Sequence, residues 1–326
     1  MSAIVSRAVV FVVCTMLPHG VAFAQTPVFP TKPIRMVVTA APGGITDIIA
    51  RLMGEHFQRT VGHPMIIDNK PGAGGNIGSE IVVKSPPDGY SLVINNVGTA
   101  AINRWLYKNM PFNPLTDLVP VAPVVDGASI VAVPTKLGPK TLKELMDLAR
   151  ASPNKLNYGS AGIGTMPHLS AELFAYMTGT QLEHVPYKGA APAAVDLAAG
   201  EIQIAFIALG SMRAQIAAGQ VRALAVGSKE RLLAIPEVPT FAEAGLPGYD
   251  VTNWFGVFAP RGTPREVVAF INTHIGRMFD DPAILKRVAD GGMVPMRESP
   301  EAFAKRVADD DTKWRDVVKR AGITPQ

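Results

Sequence analysis

Two glycine-rich segments have the residue pattern best suited to hold a ligand. They cover residues 40–47 and 159–165, and each joins a predicted β-strand to a predicted α-helix. Glycine lets a ligand approach the backbone, and the unpaired N–H groups of a helix N-terminus attract negative charge. Apart from Asp47 and, in the following helix, His168, neither segment carries a charged side chain. The pattern predicts an anion site formed by main-chain N–H groups, with hydroxyl groups of Thr46, Ser160 and Thr165 as further donors.

Each segment taken singly also has a plainer explanation. Glycine-rich turns between a strand and a helix occur as tight packing turns, and Thr46 or Asp47 can serve only as an N-cap. However, the chain is predicted below to form two lobes with a cleft between them, and one such segment lies in each lobe at the edge of that cleft. This favours the binding interpretation, because open α/β sheets bind ligands at the carboxyl ends of their strands.

Catalytic and metal-binding motifs fail on spacing. A third glycine cluster, residues 71–78, has Ile77 where a dinucleotide fingerprint needs its third glycine, and no Gly-Lys-Ser/Thr occurs. Ser160 lies outside a Gly-x-Ser-x-Gly pattern, and the histidines after the N-terminal segment lack the spacing of metal ligands. His168, in the first turn of a helix, is expected to support or cap the loop. We find no nucleophile–base pair, so the sequence predicts a protein that is not an enzyme and has no cofactor or metal.

The first 24 residues have the pattern of a secretory signal. Arg7 precedes an apolar run over residues 8–17, and Ala22 and Ala24 are small residues of the kind that a signal peptidase reads. Spanning a bilayer takes about 20 apolar residues, so this run is too short for an anchor. Cleavage near Ala24 would remove Cys14, the only cysteine. The pattern predicts a periplasmic mature protein.

The remaining chain alternates β-type runs with helical patterns, which favours parallel sheets covered by helices. Helical spacing is clear in the apolar stripe of Ile48, Ile49, Leu52, Met53 and Phe57. Pro-containing segments at 119–125 and 236–248 mark two boundaries. We therefore predict a two-lobed α/β protein, each lobe a mainly parallel sheet flanked by helices, with a ligand cleft between the lobes. Residues 25–121 plus 250–326 would form lobe 1, and residues 122–249 would form lobe 2.

The charge excludes one class of partner. The chain has 31 basic and 27 acidic residues, a formal charge of +4. The basic residues are dispersed, with no run of three, whereas nucleic-acid binders show basic stripes. The sequence therefore predicts that nucleic acid is not a partner.

A series of unusual motifs runs in order through nearly the whole mature chain: Ala41-Pro-Gly-Gly-Ile-Thr-Asp47, Asn69-Lys-Pro-Gly-Ala-Gly-Gly75, Pro87-Asp-Gly-Tyr90, Leu156-Asn-Tyr-Gly-Ser-Ala-Gly-Ile-Gly164 and His184-Val-Pro-Tyr-Lys-Gly189. Together these motifs resemble the Bug-type periplasmic solute receptors of tripartite tricarboxylate transporters. The resemblance implies a two-lobed periplasmic binding protein type II fold that closes on a carboxylate-bearing solute. In that family the two matching loops grip a carboxylate largely through backbone amides and bridging waters. One departure is Asn103-Arg104, where such receptors often have Asn-Pro.

The loop argument and the resemblance together give the expected ligand-binding residues: Ala41, Pro42, Gly43, Gly44, Ile45, Thr46, Asp47, Asn96, Thr99, Ser160, Gly162, Ile163, Gly164, Thr165, His168 and Ala208. The implied partners are a small carboxylate solute and the integral-membrane permease subunits of the transporter, and the receptor is expected to be a monomer. Apolar residues near the predicted cleft either indicate a partly apolar or aromatic acid or are buried packing: Ile45, Ile163, Met166, Pro167 and Leu209.

Two other functions remain open. One is a ligand-sensing periplasmic partner of a membrane signalling protein, which would use the same fold and cleft. The other is a secreted hydrolase, which would need a base near Ser160.

Overall fold

The structure, a computed structural model, describes residues 29–127 and 129–325. The predicted signal peptide, residues 1–24, lies outside the described residues. In the described part of the chain the strands are β1 (Ile34–Val38), β2 (Met65–Asn69), β3 (Ser91–Asn96), β4 (Leu118–Asp126), β5 (Ser129–Pro134), β6 (Asn157–Ser160), β7 (Glu183–Pro186), β8 (Ile204–Ala208), β9 (Val221–Val226), β10 (Trp254–Pro260) and β11 (Val294–Pro295). The α-helices are α1 (Ile45–Thr60), α2 (Asn76–Val83), α3 (Asn103–Leu106), α4 (Pro114–Asp117), α5 (Leu142–Ala151), α6 (Met166–Thr178), α7 (Ala190–Ala199), α8 (Arg213–Ala217), α9 (Arg265–Met278), α10 (Pro282–Asp290) and α11 (Pro300–Arg320).

The strands form two sheets flanked by helices, and this confirms the two-lobed α/β prediction. The first sheet has the order β11-β4-β10-β3-β1-β2 and the second the order β7-β6-β8-β5-β9. Strand β1 is parallel to β2 and β3, and β6 is parallel to β7 and β8. The strands nearer the connections between the sheets pair in antiparallel fashion, so each sheet is mixed and not mainly parallel as the sequence predicted.

Both connections between the sheets leave from the edge where the parallel strands end. Asp126, the last residue of β4, pairs with the first residue of β10, and β10 begins beside Asn96 at the end of β3. In the second sheet, Ser129 at the start of β5 lies opposite Ala208 at the end of β8. A strand that enters a sheet at this edge must run antiparallel to the strands that end there. The loops after β1, β3, β6 and β8 therefore share these edges with the two crossings.

The first crossing comes later than the predicted boundary after residue 121. The Pro-containing segment 119–125 is part of β4, so residues 122–126 belong to the first sheet. Proline lacks an N–H donor, and the irregular register between β4 and β10 accommodates Pro120 and Pro123 within the strand. The second crossing is the segment 227–253 between β9 and β10, which contains the other predicted boundary, after residue 249.

Hydrophobic spacing predicted most of the buried face of α1. Ile49, Leu52, Met53 and Phe57 are fully buried against the first sheet, but Ile48 is 40% exposed. Ile48 precedes Ile49 by one residue, a rotation of about 100° on a helix, so it lies beside the buried stripe and not within it.

Helix α11 contacts both lobes. In the first lobe it packs on β4 and, through the Phe303 ring, on β10, where Trp254 and Phe258 lie 5.2 Å and 5.3 Å away between ring centroids. It also packs on α6 in the second lobe, where the Arg320 guanidinium lies 4.1 Å from the Tyr176 ring centroid. The C-terminal helix therefore holds the lobes next to each other beside the crossings.

A buried carboxyl group lies where the chain leaves the first sheet. Asp126 Oδ1 accepts the N–H of Asn253, and the Gly127 N–H donates to the Asn253 carbonyl, both at 3.0 Å. These bonds join the two crossing segments. Burial, together with the nearby Asp250 and Asp310, raises the pKa of Asp126 to about 7.

This raised pKa makes folding stability depend on pH. The ordinary pKa of Asp is 3.8, so between about pH 4 and pH 7 the folded protein keeps a proton that the unfolded chain has lost. The free energy of unfolding should therefore fall as pH rises through this range, and Asp126→Asn should remove up to about 4 kcal/mol of that fall. Urea unfolding at several pH values measures it.

The control is Asp309→Asn, which removes an exposed carboxylate on α11. It should leave the pH dependence of the wild type. A wild-type pH dependence that persists in Asp126→Asn would show that Asp126 does not carry the proton.

Candidate functional site

The loop after β1 leaves the N-terminus of α1 uncapped. Gly44 is the N-cap residue and provides no side chain to bond the first turn. The N–H groups of Ile45, Thr46 and Asp47 therefore have no partner among the described residues. Residues 41–44 are exposed, so this helix terminus opens to solvent. Its free N–H groups can donate hydrogen bonds to an anion.

Asp47 supports this loop from inside the lobe. Its carboxylate is almost fully buried and accepts bonds from the Gly43 N–H at 3.0 Å, from Arg51 Nε at 2.9 Å and from Asn69 Nδ2 at 3.0 Å. The bond to Arg51 contributes most to lowering the pKa of Asp47 to about 2, so the group is ionised at neutral pH. In this arrangement Asp47 positions the first loop, and the ligand contact expected from the sequence stays a prediction.

The loop after β6 divides its N–H groups between the lobe and the cleft. Ser160 Oγ accepts the Gly162 N–H at 3.1 Å, and His168 Nδ1 accepts the Gly164 N–H at 2.9 Å. The N–H of Ile163, between them, has no partner among the described residues. Helix α6 begins directly after this loop, also without a side-chain cap. A second uncapped helix N-terminus therefore lies in the second lobe.

The hydroxyl groups expected to be donors in this loop turn inward. Thr165 Oγ1 donates to the Gly162 carbonyl at 2.6 Å. Ser160 Oγ is buried and lies 3.1 Å from the same carbonyl and 2.6 Å from His184 Nε2. Both hydroxyl groups therefore help to fix the shape of the loop, and their donation to a ligand stays a prediction.

The contact between Ser160 and His184 is a hydroxyl–imidazole pair that the sequence did not reveal. The two residues are 24 positions apart and meet only because β6 pairs with β7. The His184 ring stacks on Tyr158 at 4.8 Å and on His168 at 4.0 Å between centroids. Burial lowers the pKa of both histidines, that of His168 to about 4, so both rings are neutral at pH 7. The buried hydroxyl is closed to a substrate.

A cavity of about 320 Å³ lies between the lobes at this second loop. Beside it the lobes touch directly, because a Cβ at Gly164 would lie 2.7 Å from Leu106 Cδ1 of the first lobe. No lining residue carries a charged side chain: Gly74, Asn96, Gly98, Asn103, Leu106, Tyr107, Ile163, Gly164, Thr165, Met166, Pro167, Asn253, Ile323 and Thr324.

The cavity brings together four of the residues expected to bind a ligand: Asn96, Ile163, Gly164 and Thr165. The residues of the first loop lie at the carboxyl edge of the same sheet as Asn96 but do not line the cavity: Ala41, Pro42, Gly43, Gly44, Ile45, Thr46 and Asp47. The others lie behind the lining or at the end of β8: Thr99, Ser160, Gly162, His168 and Ala208. Thr99, for example, is buried and donates to the Gly74 carbonyl at 2.8 Å.

Sequence reasoning missed the lining residues that come from distant segments. Asn103 was noticed only as a departure from the family pattern, and here its Nδ2 donates to the Gly74 carbonyl at 3.0 Å and to Asn76 Oδ1 at 2.7 Å. Gly74 belongs to the glycine cluster that failed as a dinucleotide fingerprint. Asn253 lies on the second crossing, and Ile323 follows α11. No local motif marks either of them.

Other parts of the described chain give weaker indications of a functional site. A larger open groove of about 690 Å³ lies wholly within the second lobe and contains none of the expected residues. Within residues 29–127 and 129–325, no three metal-ligating side chains are grouped to hold an ion. Over the same residues, no helix is both long and apolar enough to cross a membrane.

Comparison with known proteins finds relatives along nearly the whole chain. Residues 49–323 match the TctC family, described as the tripartite tricarboxylate transporter family receptor. The chain is 34% identical to Protein BugT of Bordetella pertussis over 90% of each chain.

Two similar solved structures contain a bound acid. An R. palustris protein with adipate has 36% identity and a TM-score of 0.77, over 91% of this chain and 100% of that chain. MatC from Rhodopseudomonas palustris with bound malate has 32% identity and a TM-score of 0.72, over 89% and 100%. The matching family is one of transport receptors and not of enzymes. These matches confirm the Bug-type resemblance, and the chain belongs to the TctC family of tripartite tricarboxylate transporter receptors.

Proposed function

We propose that the mature chain is a periplasmic receptor that binds a small carboxylate between its lobes and delivers it to the permease subunits of a tripartite tricarboxylate-type transporter. The observation that carries this proposal is the pair of uncapped helix N-termini, at α1 and α6, which follow the carboxyl ends of β1 and β6. Free N–H groups at a helix N-terminus bind anions. Two relatives of similar fold hold adipate and malate.

The cavity favours a carboxylate held without a counter-charge. Its lining has no Lys, Arg or His, so main-chain N–H groups and the helix dipoles must balance the negative charge. Each charge-assisted hydrogen bond to a carboxylate contributes about 1.5–3 kcal/mol. A handful of them gives about −8 kcal/mol, or micromolar affinity, after the costs of association.

The side chains that line the cavity indicate a solute with an apolar carbon chain. Leu106, Met166 and Ile323 give the cavity apolar surface, whereas Asn96 and Asn103 place amide groups in the same wall. Asn96 accepts bonds from Thr99 through its Oδ1, and among the described residues its Nδ2 group has no partner. A small acid whose carbon chain lies against the apolar wall, with a polar group near Asn96, fits this lining.

We extend the proposal to export and assembly. Residues 1–24 would be removed near Ala24 on export, and the monomeric receptor would then work in the periplasm. The proposed site comprises the second loop with the cavity beside it, and the first loop at the carboxyl edge of the sheet that carries Asn96. Solute contacts to both lobes would stabilise the closed arrangement in proportion to the solute's preference for it, and the closed surface would be read by the permease. The hydrolase alternative is not favoured, because the Ser160 hydroxyl is buried and, among the described residues, forms hydrogen bonds only with the Gly162 carbonyl and N–H and the His184 ring.

Small carboxylic acids should raise the melting temperature of the mature protein. We expect at least one acid from a set that includes adipate, malate, tricarboxylates and aromatic acids to do so, because binding only the native state at 100 times Kd adds about 2.7 kcal/mol of stability. Differential scanning fluorimetry followed by calorimetry measures the effect. The methyl esters of the same acids are the control and should give no shift. A set in which no acid shifts the melting temperature would contradict the carboxylate proposal.

A carboxylate built into the first loop should compete with the solute. Gly44 has an extended backbone (φ −77°, ψ 167°), and a Cβ there would meet only the Ala41 carbonyl at 3.5 Å. In Gly44→Asp the new side chain can cap the free N–H groups of α1, which preserves or slightly raises stability. The same bonds block and repel an anion, so the affinity for the acid found above should fall at least tenfold. Calorimetry and urea unfolding measure the two quantities.

The matched control is Gln58→Glu, which adds the same charge at the exposed far end of α1. It should leave affinity within about twofold, because screening over about 10 Å weakens the field of a distant surface charge. Equal affinity in Gly44→Asp and the wild type would remove the first loop from the site.

A further inference from the structure

The binding proposal leaves a buried pair of imidazole rings without a role. His168, on α6, and His184, on β7, stack with ring centroids 4.0 Å apart and an angle of 8° between the planes. Tyr158 stacks on His184 from β6. Both imidazole rings are bonded to the loop 160–165, and none of the three rings lines the cleft cavity.

Each imidazole ring is joined to the loop through one nitrogen. His168 Nδ1 accepts the Gly164 N–H at 2.9 Å. His184 Nε2 lies 2.6 Å from Ser160 Oγ, and that oxygen accepts the Gly162 N–H at 3.1 Å. The two N–H groups that flank Ile163 are therefore both taken by the pair and its serine.

The bond at Gly164 fixes the protonation state of His168. A ring nitrogen that accepts a hydrogen bond carries no proton, so the proton of the neutral ring is on Nε2. That atom faces Glu172 Oε1 at 3.8 Å, and the same oxygen accepts the Tyr158 O–H. The titratable groups facing His168 are thus His184 on β7, Tyr158 on β6 and Glu172 on its own helix. Protonation of Nδ1 would place two donors against each other at Gly164.

We propose that His168, supported by His184 and Ser160, is a positioning residue that decides which N–H groups of the second loop face the solute. It takes the Gly164 N–H into the lobe and leaves the N–H of Ile163 and the first turn of α6 for the carboxylate. The bond is already formed in the free protein, so the loop does not have to be ordered when solute binds. Binding therefore avoids the loss of conformational entropy that would weaken the affinity. The inference rests on the proposed function.

Two substitutions of His168 distinguish the effect of its hydrogen-bond acceptor from the effect of its aromatic ring. His168→Phe keeps an aromatic ring to stack on His184 but has no acceptor for Gly164. His168→Asn loses the ring but carries Oδ1 the same number of bonds from the backbone as Nδ1. If the pair were only core packing, the Phe variant would be the better tolerated of the two.

The test uses the mature protein and two measurements. Amide hydrogen exchange by NMR gives the protection factor of the Gly164 N–H in the free protein, and calorimetry gives the affinity for adipate, with malate as a second acid. We expect His168→Phe to lower both the Gly164 protection and the affinity at least tenfold. His168→Asn should restore most of both. In the wild type, the Gly164 amide proton shift should follow the titration of the His168 ring as pH falls towards about 4.

Three results would overturn the inference: Gly164 protection unchanged in His168→Phe, protection lost with affinity unchanged, or an Asn variant as impaired as the Phe variant. If His168→Phe does not fold, the wild-type titration decides, and a Gly164 shift that ignores the ring titration counts against the inference. Failure of the wild type to bind adipate or malate would count against those acids as solutes under the proposed function. The protection factors would still decide whether His168 positions the loop.

Discussion

A carboxylate that leaves water must meet hydrogen-bond donors, and this protein offers main-chain N–H groups where others use cationic side chains. The donors exist because α1 and α6 begin without side-chain caps. The loops before both helices lie at the carboxyl edges of their sheets, and both crossings leave from the same edges. Uncapped helices in a lobed fold are thus the constraint on which the cavity, the loops and the transport role depend.

Charged and titratable groups near the two loops are kept inside the lobes. Asp47 is neutralised by Arg51 and bonds the first loop from within, and the neutral His168 bonds the second loop in the same way. Asp47 accepts the Gly43 N–H and His168 accepts the Gly164 N–H, and the neighbouring N–H groups of each loop stay free. In each lobe a buried side chain thus bonds one N–H group of the loop, and this determines which N–H groups of the loop remain free for a ligand.

Local patterns in the sequence predicted the elements well, because they report on local physics. The apolar spacing of α1 marked Ile49, Leu52, Met53 and Phe57 as buried, and misplaced only Ile48, one residue from the stripe. Both loops were found from their glycines. The prolines of β4 were misleading, because the register shifts that admit them depend on β10, a strand more than a hundred residues away.

The sequence by itself determined the family, the alternation of strands and helices, and the two loops at which unpaired N–H groups occur. Those features depend on residues that are neighbours along the chain. Only the tertiary structure decided that Ser160 meets His184, that Leu106 lies against Gly164, and that Asn103 and Asn253 share one cavity. These contacts join segments from different strands and lobes, and their distances follow from the pairing of sheets and the packing of lobes, which no local spacing encodes.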